Sequence, residues 1–179
     1  MGTRYGATFL GSQMSQDWND FHIWEAFFAH EKVMTFIELG TGNGGMSIYF
    51  ALQCSRLGID FHTYDHQQWH KFDDPISSYL GMQSRFHRMD LFSEAGKSEI
   101  ARVITTSPKP IAVFFDDGNK PREWDLFAPL TVPGDYCIVH DWETEFFEKD
   151  IKEVKVVRIM AELCDSRPAG WKSMWFRRS

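Results

Sequence analysis

The sequence predicts a single α/β domain built on a mostly parallel, doubly wound sheet. Short apolar strands alternate with helical segments, a glycine-rich turn joins the first buried strand to the next helix, and the strands end in carboxylates. The chain has 179 residues, of which 43% are hydrophobic and 25% are charged. This length and composition suit one globular domain with its own core, so residues 1–179 are expected to form one unit.

Charge and cysteine content exclude several classes of protein. The net charge of −6 argues against a broad positive face for nucleic acid. Three cysteines without a CxxC pair argue against a secreted disulfide framework and against a zinc ribbon. The sequence shows no signal peptide, and no apolar run approaches the ~20 residues of a membrane helix. We therefore expect a cytoplasmic protein without nucleic-acid or membrane partners.

An arm and a helix open the chain. Residues 1–15 are rich in Gly, Ser, Thr and Gln and predict a flexible arm. A helix is predicted over residues 16–31, because Ser15 or Asp17 can cap it and its apolar residues are mostly on one side. That face carries Trp18, Phe21, Ile23, Trp24, Phe27 and Phe28. It should pack against the sheet, and it is also compatible with pairing across a homodimer.

Five strands and three helices follow in alternation. The strands are predicted over residues 33–37, 59–64, 85–89, 110–115 and 136–139. The helices are predicted over residues 45–57, 93–105 and 121–130. Acids follow the five strands at Glu38, Asp65, Asp90, Asp116 with Asp117, and Asp141. Because ligands bind at the carboxyl ends of the strands in such sheets, these acids should converge on one site.

The last forty residues are predicted in three pieces. Residues 145–153 have the pattern of a helix, and residues 154–160 suit either a strand or a continuation of that helix. Residues 172–177 predict a final strand. The Pro-Ala-Gly sequence at residues 168–170 predicts the turn of a closing antiparallel hairpin.

The glycine-rich turn is the most informative segment. Its glycines let the backbone bend sharply between strand and helix and let a ligand approach closely. The following helix offers free amide groups at its N-terminus. Gly40, Gly42 and Gly45 also satisfy the GxGxxG pattern of dinucleotide-binding proteins, so the glycines alone do not choose the cofactor. The carboxylate of Glu38 helps to distinguish between these cofactors.

Glu38, Gly40, Gly42 and Gly44 resemble the E/D-x-G-x-G-x-G motif of class I S-adenosylmethionine (SAM)-dependent methyltransferases. The resemblance implies a Rossmann-like seven-stranded sheet, with Glu38 near the amino group of the cofactor. It also implies that Asp65 accepts hydrogen bonds from both ribose hydroxyls. The cofactor contacts that it implies are Glu38, Gly40, Thr41, Gly42, Asn43, Gly44, Asp65, His66, Met89, Asp90 and Asp116.

The turn after the fourth strand and the His140–Asp141 pair after the fifth extend the resemblance over residues 33–141. They are similar to a branch with a D-G-x-H-like turn and a His-Asp pair, which includes small-molecule methyltransferases and the cephalosporin-hydroxylase-like group. This sequence departs from the pattern, because Asp117 is an additional acid and Asn119 or Lys120 stands in place of the histidine.

Three interpretations of these residues are open. In the first, Asp116, Asp117 and Asp141 hold Mg²⁺, and Lys120 is the general base if its pKa is depressed. In the second, no metal is used, Asp116 contacts the cofactor or orients the acceptor, and His140 is the general base. In the third, His140 and Asp141 only cap the fifth strand. The catalytic candidates are therefore Lys120, His140 and Asp116.

The leading functional interpretation is a SAM-dependent methyltransferase that acts on the oxygen or nitrogen of a small-molecule acceptor. A nicotinamide-dependent oxidoreductase shares the glycine turn, but Glu38 and the lack of a second domain argue against it. A cofactor-binding protein without turnover is the third alternative, because the turn at residues 117–120 is irregular. Trp69 is placed either to stack on the cofactor or to pack in the core.

Overall fold

The computed structural model describes residues 7–166 and 172–179. The predicted turn at residues 168–170 therefore lies outside the described residues, as do residues 1–6. The strands are β1 (Thr8–Phe9), β2 (Ser12–Gln13), β3 (Thr35–Leu39), β4 (Asp60–Asp65), β5 (Phe86–Arg88), β6 (Ile111–Phe115), β7 (Tyr136–Val139), β8 (Val156–Ile159) and β9 (Met174–Arg178). The helices are α1 (Trp18–His30), α2 (Gly45–Leu57), α3 (Pro75–Tyr79), α4 (Met82–Arg85), α5 (Glu94–Thr106), α6 (Lys120–Phe127) and α7 (Ala161–Asp165).

Seven strands form one sheet in the order β5-β4-β3-β6-β7-β9-β8. The pairs from β5 to β7 are parallel, and β9 runs antiparallel to both β7 and β8. The predicted Rossmann-like sheet with a closing antiparallel pair is confirmed. The central strands β3 and β6 are buried along their whole length, as expected for parallel strands covered on both faces. Strand order reverses between them, which places a crevice at their carboxyl ends.

The aromatic face of α1 packs on this sheet. Trp24 is completely buried, and its ring lies 4.6 Å from the ring of Phe50, 5.1 Å from Phe114 and 5.0 Å from Trp175 between centroids. These partners come from α2, β6 and β9. One helical side chain thus joins the parallel part of the sheet to its antiparallel end.

The prediction of a flexible arm over residues 1–15 is wrong for its described part. Strands β1 and β2 form a hairpin, and Gly11 in its turn has a φ of +89°. Phe9 packs against the rings of Phe21 and Tyr49, with a centroid separation of 5.5 Å in each case. Met14 is buried in the main core. Contacts with α1 and α2 therefore hold a segment whose own composition predicted no structure.

The helix predicted over residues 145–153 is also wrong. The backbone amides of Thr144, Glu145 and Phe146 all donate to the carbonyl oxygen of Asp141, which forms a tight loop. Phe146 is buried against Trp124 and Trp142, and only Glu148–Asp150 form a short 3-10 turn. Burial of the aromatic ring favours this loop over the helix. Beyond it, β8 confirms the strand interpretation of residues 154–160, and β9 confirms the final strand.

Among the described residues, no helix combines the length and apolar character that crossing a bilayer requires.

Candidate functional site

A cavity of about 620 Å³ lies at the carboxyl ends of β3, β4, β6 and β7. The predicted site residues that line it are Glu38, Gly40, Thr41, Gly42, Asn43, Gly44, Asp65, His66, Asp116, Asp117, Lys120, His140 and Asp141. Met89 and Asp90, after β5, are not among its described lining residues. The Asp90 carboxylate instead accepts the amide hydrogen of Phe92, at 2.9 Å. The structure thus brings most of the predicted residues together and leaves two outside.

The glycine turn needs its first glycine for a steric reason. Gly40 has a φ of +102°, and a Cβ atom there would lie 2.4 Å from the carbonyl oxygen of Asp116. The turn after β3 therefore touches the chain directly after β6. Such an approach is open only to glycine, because a side chain would meet backbone that cannot move away. This contact fixes the position of Asp116 relative to the glycine turn.

The Asp65 carboxylate is held firmly at the end of β4. Oδ2 accepts the amide hydrogen of Gly42, and Oδ1 accepts that of Gln67, each at 2.9 Å. The side chain is almost fully buried but lines the cavity. Oδ2 keeps a second lone pair that can accept a hydroxyl hydrogen from a ligand. Oδ1 also lies 3.2 Å from Nδ1 of the exposed His66, which a second ligand hydroxyl would displace. This geometry suits the two-hydroxyl contact predicted for Asp65.

Glu38 is a buried acid on the floor of the same cavity. Its Oε2 accepts hydrogen bonds from the hydroxyls of Ser47 and Thr63, at 2.5 Å and 2.6 Å. Burial raises the pKa of Glu38 to about 8, and the hydroxyl donors only partly oppose this. No described residue donates to Oε1. A cationic group of a ligand at that oxygen would favour the ionised form of Glu38.

This raised pKa predicts a particular dependence of stability on pH. Between the ordinary glutamate pKa of 4.5 and about 8, the unfolded chain has released a proton that folded Glu38 retains. Rising pH therefore lowers the free energy of unfolding across this window. Glu38→Gln has no proton to release, so urea unfolding at about pH 5 and pH 8 should show a smaller loss than in the parent. Glu162→Gln, at an exposed position, is the control and should lose as much as the parent.

Four charged side chains meet on the wall formed by the ends of β6 and β7. His140 Nδ1 lies 3.1 Å from Asp116 Oδ1 and 3.2 Å from Asp141 Oδ2. Lys120 Nζ lies 2.9 Å from Asp141 Oδ2 and 3.5 Å from Asp116 Oδ1. We call Asp116, Lys120, His140 and Asp141 the charged cluster. Its contacts go well beyond capping of the fifth strand.

The charged cluster argues against both predicted general bases. Burial opposes the charge of Lys120, but the carboxylates of Asp116, Glu145 and Asp141 outweigh burial and raise its pKa. The pKa of His140 is likewise raised to about 10, because Asp116 and Asp141 outweigh the effect of burial. Both groups therefore hold their protons near neutral pH. Burial alone therefore does not give Lys120 the depressed pKa that the first interpretation requires.

Asp117 does not join the charged cluster. Its carboxylate groups instead with Asp65 and His66, whereas Asp116 groups with His140 and Asp141. The buried carboxylate of Glu123 holds the turn in this shape, because it accepts the amide hydrogens of Asp117 and Asn119 at 3.3 Å and 3.1 Å. The structure therefore does not bring the three predicted metal ligands, Asp116, Asp117 and Asp141, into one group. Burial and the charge of Asp65 raise the pKa of Asp117 to about 7.

Gln16 and Glu145 are cavity residues that had no signal in the sequence, whereas Trp69 was a candidate there. Gln16 is buried, and its Nε2 donates to Asp116 Oδ2 at 2.6 Å across 100 positions of sequence. Glu145, predicted inside a helix, accepts a 2.8 Å hydrogen bond from Lys120. Trp69 lines the cavity and is 61% exposed, so it is not a core side chain.

No family model matches the chain, and no curated protein matches its sequence. Solved structures do match. A CmcI structure described as Mg-SAM aligns with 97% of this chain and 76% of its own, at a TM-score of 0.71 and 16% identity. A CmcI structure with SAH aligns with 99% of this chain and 84% of its own, at a TM-score of 0.67 and 17% identity. A variant of MtNAS in complex with S-adenosylmethionine aligns with 89% of this chain and 62% of its own, at a TM-score of 0.52 and 10% identity.

These likenesses cover 89–99% of this chain. The sheet has five parallel strands, followed by an antiparallel strand inserted between the fifth strand and the edge. The glycine turn and the strand-end acids Asp65, Asp116 and Asp141 line one cavity, whereas Asp90 does not. The chain therefore has the class I S-adenosylmethionine-dependent methyltransferase fold.

Proposed function

We propose that the protein is a SAM-dependent methyltransferase that methylates an oxygen or nitrogen of a small-molecule acceptor. One observation carries the proposal: a single cavity holds the glycine turn with Asp65 and also the charged cluster. The glycine turn and Asp65 suit a nucleoside with adjacent hydroxyls, and the charged cluster suits a polar acceptor. The likeness to CmcI with Mg and SAM supports the same cofactor. A small acceptor rather than nucleic acid fits this carboxylate-rich cavity.

The residues present fit SAM as the cofactor. Asp65 can offer its two carboxylate oxygens to the ribose hydroxyls once the exposed His66 moves away from Oδ1. Glu38 offers Oε1 to the ammonium of the methionine part. Gly40, Gly42 and Gly44 adopt positive φ angles, which lets the backbone turn without side chains entering the cavity. When bound, the cofactor supplies an electrophilic methyl group. The protein's part is then to hold that group in line with the acceptor.

The charged cluster would position the acceptor. Gln16 fixes Asp116 through Oδ2, and Lys120 with His140 balances the charges of Asp116 and Asp141. An acceptor hydroxyl or amine can donate a hydrogen bond to these carboxylates. The lone pair of the acceptor's oxygen or nitrogen then points away from the carboxylates. Lys120 and His140 hold their own protons, and although burial opposes it, their hydrogen bonds and charges lower the pKa of Asp141. The other cavity carboxylates are therefore the groups that can take a proton from the acceptor.

A divalent metal also fits the donor set. The ligand atoms of Asp116, His140 and Asp141 lie within 4.8 Å of one another. Because His140 holds its proton, the carboxylates of Asp116 and Asp141 are the groups that would bind the ion, and carboxylate oxygens suit Mg²⁺. A metal bound there would lower the pKa of an acceptor hydroxyl. The ligands would have to exchange their present contacts with Lys120 for contacts with the metal.

Calorimetric titration with SAM and S-adenosylhomocysteine tests the proposal. Asp65→Ala is expected to raise Kd roughly a hundredfold, because two hydrogen bonds to a charged acceptor are worth about 3 kcal/mol together. Asp60→Ala is the matched control, since Asp60 lies at the opposite end of β4 and outside the cavity. Its Kd should equal that of the parent.

Two outcomes would contradict this assignment. One is the absence of SAM binding by the parent at high micromolar concentration, and the other is parent-like binding by Asp65→Ala. A change in nicotinamide fluorescence on titration would favour the oxidoreductase alternative. Cofactor binding without transfer to any acceptor tried, with or without Mg²⁺, would favour a non-catalytic binding protein.

A further inference from the structure

We propose that Lys120 is a tethered cation that competes with a divalent metal for the carboxylates of Asp116 and Asp141, and that Glu145 holds it ready to leave them. The inference concerns regulation of the proposed active site and rests on the metal position proposed there. It gives Lys120 a role other than that of a general base. The metal would bind these carboxylates only when the ammonium of Lys120 moves away from them.

Geometry supports competition rather than coexistence. The ammonium of Lys120 lies 2.9 Å from Asp141 Oδ2 and 3.5 Å from Asp116 Oδ1, which are atoms of the same two carboxylates that would bind the metal. Lys120 is only 2% exposed, so little water screens it from a second cation. A divalent ion on these oxygens would stand directly beside a buried positive charge. Repulsion between the two cations would therefore weaken metal binding for as long as Lys120 stays in place.

Glu145 offers the ammonium another partner. Its Oε2 lies 2.8 Å from Lys120 Nζ, and its side chain is 52% exposed at the edge of the cavity. Lys120 is the first residue of α6, so its backbone is fixed while its four-carbon side chain can turn. The ammonium can therefore keep its bond to Glu145 while it moves off Asp116 and Asp141. The exchange leaves no buried charge without a partner.

The charged cluster contains two cationic side chains, Lys120 and His140, which differ in whether another acid lies within reach. His140 is 3% exposed, and its Nδ1 contacts only the same two carboxylates, Asp116 and Asp141. It has no described acid outside the cluster to which it could turn. Lys120 does have one, in Glu145. The residue that would give way to a metal is therefore the lysine.

Binding of Mn²⁺, followed by electron paramagnetic resonance in the absence of SAM, tests the inference. Lys120→Met and Lys120→Gln remove the charge and are expected to bind Mn²⁺ at least tenfold more tightly than the parent. Lys120→Arg keeps the charge and should bind as weakly as the parent. Lys172→Met is the matched control, because Lys172 is also buried and also pairs with an acid, Glu143, at 2.8 Å. It should leave Mn²⁺ affinity unchanged.

Adding Asp141→Asn to Lys120→Met should cancel the gain, which would place the metal in this cluster. Circular dichroism establishes that each variant is folded. Unchanged affinity in either folded neutral variant would overturn the inference, as would an equal gain in Lys172→Met. The readout needs no SAM, so the Asp65→Ala result on the proposed function stands or falls separately.

Discussion

Gly40→Ala is expected to destabilise the protein by about 3–5 kcal/mol and to abolish SAM binding. A side chain at a φ of +102° costs roughly 1–3 kcal/mol, and overpacking adds roughly 1–3 kcal/mol. The overpacking is severe here, because the new Cβ would lie 2.4 Å from Asp116 O and 2.8 Å from Asp117 N. Both contacts are with backbone, which cannot rotate out of the way as a side chain can.

Urea unfolding measures the first effect, and calorimetry with SAM measures the second. Gly58→Ala is the matched control, since Gly58 has a φ of +69° and its Cβ would have no neighbour within 4 Å. Gly58→Ala should cost only the backbone strain of a side chain at positive φ, roughly 1–2 kcal/mol, and should keep the affinity for SAM. Equal destabilisation by the two variants would show that contact with Asp116 does not constrain the glycine turn.

Trp24→Ala is expected to cost about 3–5 kcal/mol, the range for removal of a large aromatic side chain from a packed core. The ring is fully buried, and its neighbours belong to separate elements of the sheet and helices, so the cavity cannot close by moving one of them. Thermal or urea unfolding measures the loss. Below the melting temperature the variant should still bind SAM, because Trp24 does not line the cavity.

Trp18 on the same helix supplies the control. It is 59% exposed, and its ring contacts Phe21 at 4.9 Å without entering the main core. Trp18→Ala should therefore change the free energy of unfolding by well under half as much as Trp24→Ala. If both substitutions cost the same, α1 would not be fixed to the sheet by its buried face.

The sheet and the glycine turn could be predicted because their signals are local. Strand β3, which includes the acid Glu38, runs directly into the glycines, and strand-end acids such as Asp65 follow from the strand positions. Parallel strands share one carboxyl edge, so convergence of these acids needed no further information. The same reasoning placed Asp90 in the site, but Asp90 follows the short edge strand β5 and lies outside the cavity.

The parts of the site that could not be predicted depend on contacts between distant segments. The bond from Gln16 to Asp116 joins residues 100 positions apart. Glu145 reaches Lys120 only because the burial of Phe146 bends the chain into a loop where its local pattern suits a helix. The sequence also could not show that the side chains of Asp116 and Asp117 join different groups of residues. That difference depends on the buried carboxylate of Glu123, six residues after Asp117, which holds the turn.

The chemistry of Lys120 shows the same limit. The first interpretation of the sequence made Lys120 a general base, a role that needs a lowered pKa. Its surroundings contain three carboxylates, and they raise its pKa instead. The sign of such a shift depends on the balance between burial and charge in three dimensions, which residue spacing does not contain.

The order of the strands also bears on how the protein resists aggregation. The two outer strands, β5 and β8, leave backbone groups that another chain could pair with. They contain only three and four residues, and each carries an exposed arginine, Arg88 or Arg158. Short length and positive charge both disfavour pairing between the edges of neighbouring molecules. The large sheet that builds the cavity therefore offers little template for self-association at either end.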